Sequence, residues 1–231
     1  MSTPAPCDEA ARPARAGRPA RLKRPTLAAA AAAALLAPPA ALAAPGLDFA
    51  QLDGSSSSGT LVLVHALSPA GADQPAPLLS ATATGWEDGL SVAAGGVYRW
   101  TLAAGDGHAL RAGLGVGIDH FRSRAEGDST EDTGASLRAQ AEADGALGSA
   151  ARYYLLAQGT SFRDGWFATA QLSLPGSGAG VELSRYGDES YHSTTAVLRL
   201  PLGAPGWTLR LGAVRDDDGT RAIVGIGWNG F

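Results

Sequence analysis

From Leu90 to Leu102 the chain alternates in chemistry at every step. Leu90, Val92, Ala94, Gly96, Tyr98, Trp100 and Leu102 form one set, and Ser91, Ala93, Gly95, Val97, Arg99 and Thr101 form a mixed, more polar one. Only an extended strand sends successive side chains to opposite faces, so a two-residue period predicts β structure with one apolar side. The same alternation recurs in most segments up to Phe231, which constrains the chain to sheets whose two faces differ in polarity.

The first 43 residues are predicted to stand outside that sheet. Arg12, Arg15, Arg18, Arg21, Lys23 and Arg24 make a basic segment, Leu27 to Ala37 a short apolar run, and Ala41-Leu42-Ala43 the small residues of a cleavage site. This is the pattern of a secretory signal peptide, and its apolar run falls short of the ~20 residues of a spanning helix. No Cys follows the apolar run, which argues against a lipid-anchored N-terminus. Cleavage after Ala43 leaves residues 44–231 as one domain, with 12 basic and 20 acidic residues. An acidic mature chain lacks the basic face that nucleic acid requires. The only cysteine, Cys7, departs with the leader, which excludes disulfides and thiol chemistry.

The alternation predicts about twelve strands, with ten as the other count: 46–52, 59–67, 78–86, 90–104, 108–122, 135–144, 150–161, 166–174, 179–186, 191–202, 207–215 and 220–231. Their connections fall into two alternating classes. Gly105-Asp106-Gly107, Gly145 to Ser149, Pro175 to Gly178 and Gly203 to Gly206 have the chemistry of tight turns. The others are acidic, containing Glu87-Asp88, Glu126, Asp128, Glu131, Asp132, Asp164, Asp188-Glu189 and Asp216-Asp217-Asp218. Strand counting gathers the acidic connections at one end and both termini at the other. Large aromatics also cluster near strand ends, with Trp86, Phe121, Phe162, Trp166, Tyr186 and Tyr191 at the acidic end. Trp100, Tyr153, Trp207, Trp228 and Phe231 lie toward the other, so two headgroup-level girdles are expected.

Charges within strands share the face opposite the Leu/Val/Ala set. Arg99, Arg111, Arg138, Arg199 and Arg210 do so, and so do Asp119, Glu142 and Glu182. An Arg pointing into lipid at mid-depth costs about 2–4 kcal/mol, so these eight residues are expected to face a lumen, near Gln140, Gln158 and Gln171. Gly113, Gly115, Gly117 and Gly212 share that phase and leave space. Two outcomes remain open: a ladder of ion pairs filling the lumen, or a water-filled pore whose arginines select anions.

Leader, alternating strands, alternating connections and the terminal Phe231 together resemble a small bacterial outer-membrane β-barrel protein. The resemblance is architectural and covers the whole mature chain. It implies an all-β, antiparallel up-and-down transmembrane barrel in the Gram-negative outer membrane. It also implies outer-membrane lipids, lipopolysaccharide and the barrel-assembly machinery as partners, with Phe231 as the assembly signal. The phase partners of Phe231 (Asn229, Gly227 and Gly225) depart from the apolar pattern of such signals, because Trp228, Ile226 and Val224 hold the opposite phase.

Some barrels of this class are lipid hydrolases, acyltransferases or proteases, which need a nucleophile beside an oriented His. His65, His120 and His192 share the apolar phase, and His108 lies at a turn. Asp119 and His120 are neighbours on a strand and point to opposite faces, as do His192 and Ser193. Asp216-Asp217-Asp218-Gly219 lacks the later Glu and ligand alternation of a calcium loop and reads as a turn. Gly113-x-Gly115-x-Gly117 opens no helix and is no nucleotide loop. The expected role is therefore non-enzymatic, without metal or cofactor: envelope structure or a narrow, porin-like pore. An outer-membrane lipid hydrolase or acyltransferase, and a soluble periplasmic β-sandwich or lipocalin-like binder, are the alternatives.

Overall fold

The computed structural model describes residues 48–67, 76–124 and 129–230. The leader and Phe231 lie outside the described residues. Twelve strands run in chain order. They begin with β1 (Phe49–Ser55), β2 (Ser58–Ala66), β3 (Ala76–Trp86) and β4 (Gly89–Gly105). Next come β5 (His108–Ser123), β6 (Thr130–Leu147), β7 (Ala151–Thr160) and β8 (Trp166–Ser173). The last four are β9 (Gly180–Gly187), β10 (His192–Pro201), β11 (Trp207–Asp216) and β12 (Gly219–Asn229). Each strand pairs antiparallel with its sequence neighbours, and β1 pairs with β12, so the sheet closes on itself without a free edge. The fold is a closed, twelve-stranded, up-and-down barrel. Strands ~4.8 Å apart and tilted ~40° give such a barrel a backbone diameter of ~24 Å.

Register carries the two-residue period across neighbouring strands. Ala83 pairs with Val92, Val92 with His120, and His120 with Thr133, forming one row on the outer face. One step away, Thr82, Ala93, Asp119 and Gly134 form the matching inner row. The outer leucines and valines are bare: Leu114 is 62% exposed, Val116 63% and Leu137 69%. A continuous band of this kind is far beyond what a water-facing surface carries, and it suits a lipid-facing wall.

Local chemistry sets the ends. Asp106 and Gly107 both hold positive φ, 51° and 79°, in the two-residue turn joining β4 to β5. Asp-Gly is a favoured pair for that geometry, whose twist matches the flanking strands. Opposite the turn, the register slips between Thr101 and Ala103, so Leu102 forms a bulge on the outer surface. Among the described residues the acidic connections do lie together at one end, and the Gly/Pro turns at the other with the start of β1 and the end of β12; Glu126 and Asp128 lie outside the described residues.

Three expectations need correction. The first strand begins at Phe49 and runs to Ser55, three residues later than its alternation suggested. Strand β6 begins at Thr130, so Glu131 and Asp132 belong to a strand paired with Arg122 and Phe121 rather than to a loop. The resemblance also implies longer connections at the acidic end, yet Glu87-Asp88 and Asp217-Asp218 are two-residue links. Acidic residues in strands and short turns resemble loop composition, and no periodicity rule separates the two.

Candidate functional site

The inner face is organised by arginines. Arg210 on β11 uses its whole guanidinium: Nε and Nη2 donate to Asp53 of β1 at 2.9 and 3.2 Å, and Nη1 and Nη2 donate to Glu182 of β9 at 2.8 and 3.0 Å. The Asp53 contact crosses β12, the strand that closes the barrel. Gly225 leaves room for it, because a Cβ there would stand 1.9 Å from Asp53 Oδ1. Gly227 lies beside it, where a Cβ would fall 3.4 Å from Arg210 Cδ. The network continues sideways. Gln51 donates to Asp53 at 2.7 Å, Gln171 to Glu182 at 3.2 Å, and Arg199 to Gln171 at 2.6 Å.

A second network, made of three neighbouring clusters, covers β4 to β6. Arg99 donates through Nη1 to both oxygens of Glu142, at 3.1 and 2.9 Å, and Gln140 adds a bond of 2.8 Å. Arg111 pairs with Asp144, while Arg138 donates to Asp119 at 3.1 Å, and Ser136 donates to that same carboxylate. Arg138 lies flat on the wall, over Gly117 and Gly95, and reaches Ala94 O on β4 at 3.4 Å. All eight charges singled out from the sequence therefore enter one of two networks. Five belong to the β4–β6 network and Glu182, Arg199 and Arg210 to the other. The reading missed Asp53, which lay one residue beyond the predicted first strand. It also missed Asp144, whose phase with Glu142 was a usable signal.

The glycines under these pairs are a sharp test of the packing. Gly225→Ala is expected to destabilise the folded barrel by about 1–3 kcal/mol, since Asp53 must leave Arg210. Gly105→Ala, where an added Cβ meets nothing within 4 Å, is expected to leave stability unchanged. Denaturant unfolding of the refolded variants in lipid measures both.

At the acidic mouth the aromatics are not where a girdle would put them. Trp86 and Phe121 share the inner phase, with ring centroids 5.7 Å apart. Tyr186 shares the phase of the buried Ser184 and Glu182, and its hydroxyl donates to Asp188 at 2.9 Å. Tyr191 donates to Asp216 at 3.0 Å, and burial raises its pKa above the ordinary phenol value, keeping it a donor. Only Trp166 stays on the outer face there, beneath Arg185, whose guanidinium carbon lies 5.6 Å from the ring centroid. At the other end Tyr98 and Trp100 are exposed on the outer face, edge to face at 5.0 Å, as a girdle requires. Tyr186 and Tyr191 meet carboxylates at the mouth and Trp86 meets Phe121, and strand-end position alone did not reveal that.

The histidines sit apart from both networks. His65 Nδ1 lies 3.1 Å from Asp48, His108 Nδ1 lies 3.0 Å from the Tyr153 hydroxyl, and His120 Nδ1 lies 2.8 Å from Thr133 Oγ1. All three, and His192 by its pairing with Gly187, occupy outer-face positions, spread over the three strands β2, β5 and β10. Among the described residues no group of three or more His, Cys, Asp and Glu forms a metal-binding cluster.

The architecture has solved counterparts. The KdgM porin in complex with disordered oligogalacturonate superposes with a TM-score of 0.50, covering 80% of this chain and 98% of its own at 12% identity. The fold is that of an outer-membrane β-barrel. The outer membrane protein Omp33 of Acinetobacter baumannii has the same coverages with a TM-score of 0.47 and 11% identity. No family model and no curated protein matches the chain.

Proposed function

We propose that the mature chain, residues 44–231, is a narrow, non-enzymatic pore for small solutes in the Gram-negative outer membrane. The observation that carries this reading is the direction of the ion pairs. Arg99 to Glu142, Arg138 to Asp119, and Arg210 to Asp53 and Glu182 each join strands no more than two apart in the closed sheet. They run along the wall. A bore of ~24 Å between backbones is not bridged by pairs of this reach.

Apart from Arg152 at the start of β7, the described walls between the two networks are neutral. Thr60 and Val62 of β2, Ser80, Thr82 and Thr84 of β3, and Leu156 and Gln158 of β7 face inward and keep partial exposure. Such a lining gives a solute hydroxyls to bond and little net charge to oppose it. Because the arginines already hold carboxylates, strong anion selection does not follow from them. The rest of the reading extends from the sequence: export by the leader, insertion signalled by Phe231, and a belt of outer-membrane lipid and lipopolysaccharide around the barrel. An enzymatic alternative finds no support in the histidines, which are dispersed over the outer face.

Planar bilayers test the proposal. Refolded residues 44–231 are expected to give discrete current steps, with weak preference between potassium and chloride. A bilayer that stays silent at every voltage, with the barrel shown to be inserted, would leave a structural role instead.

A further inference from the structure

The connection between β7 and β8, Ser161 to Gly165, folds over the acidic mouth rather than away from it. Phe162 turns toward the inner face of β6, where a Cβ on Gly134 would meet its ring at 3.6 Å. Arg163 then extends to β5, placing its guanidinium carbon 4.1 Å from the centroid of Phe121. The same guanidinium donates through Nη2 to Ser190 Oγ at 2.7 Å, in the connection between β9 and β10. Strand β5 lies four strands from β9 and five from β10 around the twelve-stranded ring, so the contacts lie along a chord of the mouth.

The anchors at both ends are themselves fixed. On one side Trp86 backs Phe121. On the other, Asp188 accepts bonds from the backbone and hydroxyl of Ser190, from Tyr191 N–H and from the Tyr186 hydroxyl. Glu189 N–H also donates to Arg163 O at 3.2 Å. The loop is held in a strained form, since Arg163 and Asp164 are both left-handed, with φ of 52° and 47°. A bulky residue such as Arg163 persists there where surrounding contacts hold the conformation. Removing the contacts therefore favours release of the loop.

We infer that Arg163 is a strap across the outer mouth, and that its cation–π contact with Phe121 and its bond to Ser190 set the constriction of the pore. This inference rests on the pore reading above and names the element that regulates it. A side chain lying on a chord excludes solute from both halves of the opening. Its release widens the entrance without touching either lumenal ion-pair network.

The test compares full mature protein with Arg163→Ala, Arg163→Gln and Phe121→Leu in planar bilayers, with Arg185→Ala as the control on the outer face. Single-channel conductance is expected to rise several-fold in Arg163→Ala and Arg163→Gln and less in Phe121→Leu. Combining Arg163→Ala with Phe121→Leu is expected to add nothing to Arg163→Ala alone, because both cut one strap. Retained resistance of the unboiled band on gels identifies variants that have folded. Hydrogen exchange supplies the second readout: the amides of Gly165 and Glu189 are expected to be protected in the parent and to exchange freely in Arg163→Ala. Equal conductance in parent and variants overturns the strap and leaves the pore reading standing. Silence from parent and variants alike overturns the pore reading, and unprotected amides in the parent overturn the strap whatever the current.

Discussion

Arg210→Ala is expected to cost the barrel about 3–5 kcal/mol of unfolding free energy, the range for a buried ion pair that loses one partner. Arg210 is 3% exposed and joins β1, β9 and β11 through four charge-assisted bonds. Without it, Asp53 stands as an uncompensated carboxylate on the seam where the first and last strands close the sheet, and Glu182 as another on β9. The cost thus falls on closure itself, and open or misassembled forms are expected to accumulate during refolding. A triple variant, Arg210→Met with Asp53→Asn and Glu182→Gln, removes the stranded charges and is expected to recover most of the loss. Guanidinium unfolding in lipid measures both. A single variant within ~1 kcal/mol of the parent would mean that the network contributes little to closure.

The second large effect is on the opposite face. Val116 lies at the middle of β5, 63% exposed, between Gly96 and Leu137 on the neighbouring strands. Val116→Arg is expected to destabilise by about 2–4 kcal/mol, because an arginine at mid-depth must be taken into hydrocarbon. Thr82→Arg places the same side chain on the inner, hydroxyl-lined wall and is expected to cost under about 1 kcal/mol. The contrast matters more than either value. Bulk, helix propensity and net charge change similarly in both variants, so a difference isolates the direction in which the side chain points.

Much of this architecture was legible because a barrel wall needs only one rule. The alternation of Leu90 to Leu102, and the opposite phase of Arg99, Arg111, Arg138, Arg199 and Arg210, follow from one apolar and one polar face, and that rule survives errors of a residue or two at strand ends. Asp106-Gly107 was legible as a turn because left-handed backbone demands such residues. What alternation could not give was contact. Which carboxylate each arginine holds depends on register between strands, and Asp53 meets Arg210 only because β1 closes onto β12. The inward turn of Trp86, Phe121 and Tyr186 was likewise hidden, since an aromatic near a strand end fits a girdle or a mouth equally well. Gly225 and Gly227 show the same limit from the other side. They spoil the apolar phase leading to Phe231, and their reason emerges only when Arg210 and Asp53 are seen to pass over them.

The most direct measurement uses single cysteines along β3 in a leaderless chain, which has no other thiol. Residues 79 to 84 are replaced one at a time, refolded into lipid and labelled. Positions 79, 81 and 83 are expected to be reached by a lipid-dissolved quencher, and positions 80, 82 and 84 by a water-soluble thiol reagent. Strict alternation over these six positions is the predicted result. Uniform access to the water-soluble reagent, or access that follows no two-residue period, would contradict a closed sheet with lipid outside and a polar lumen within.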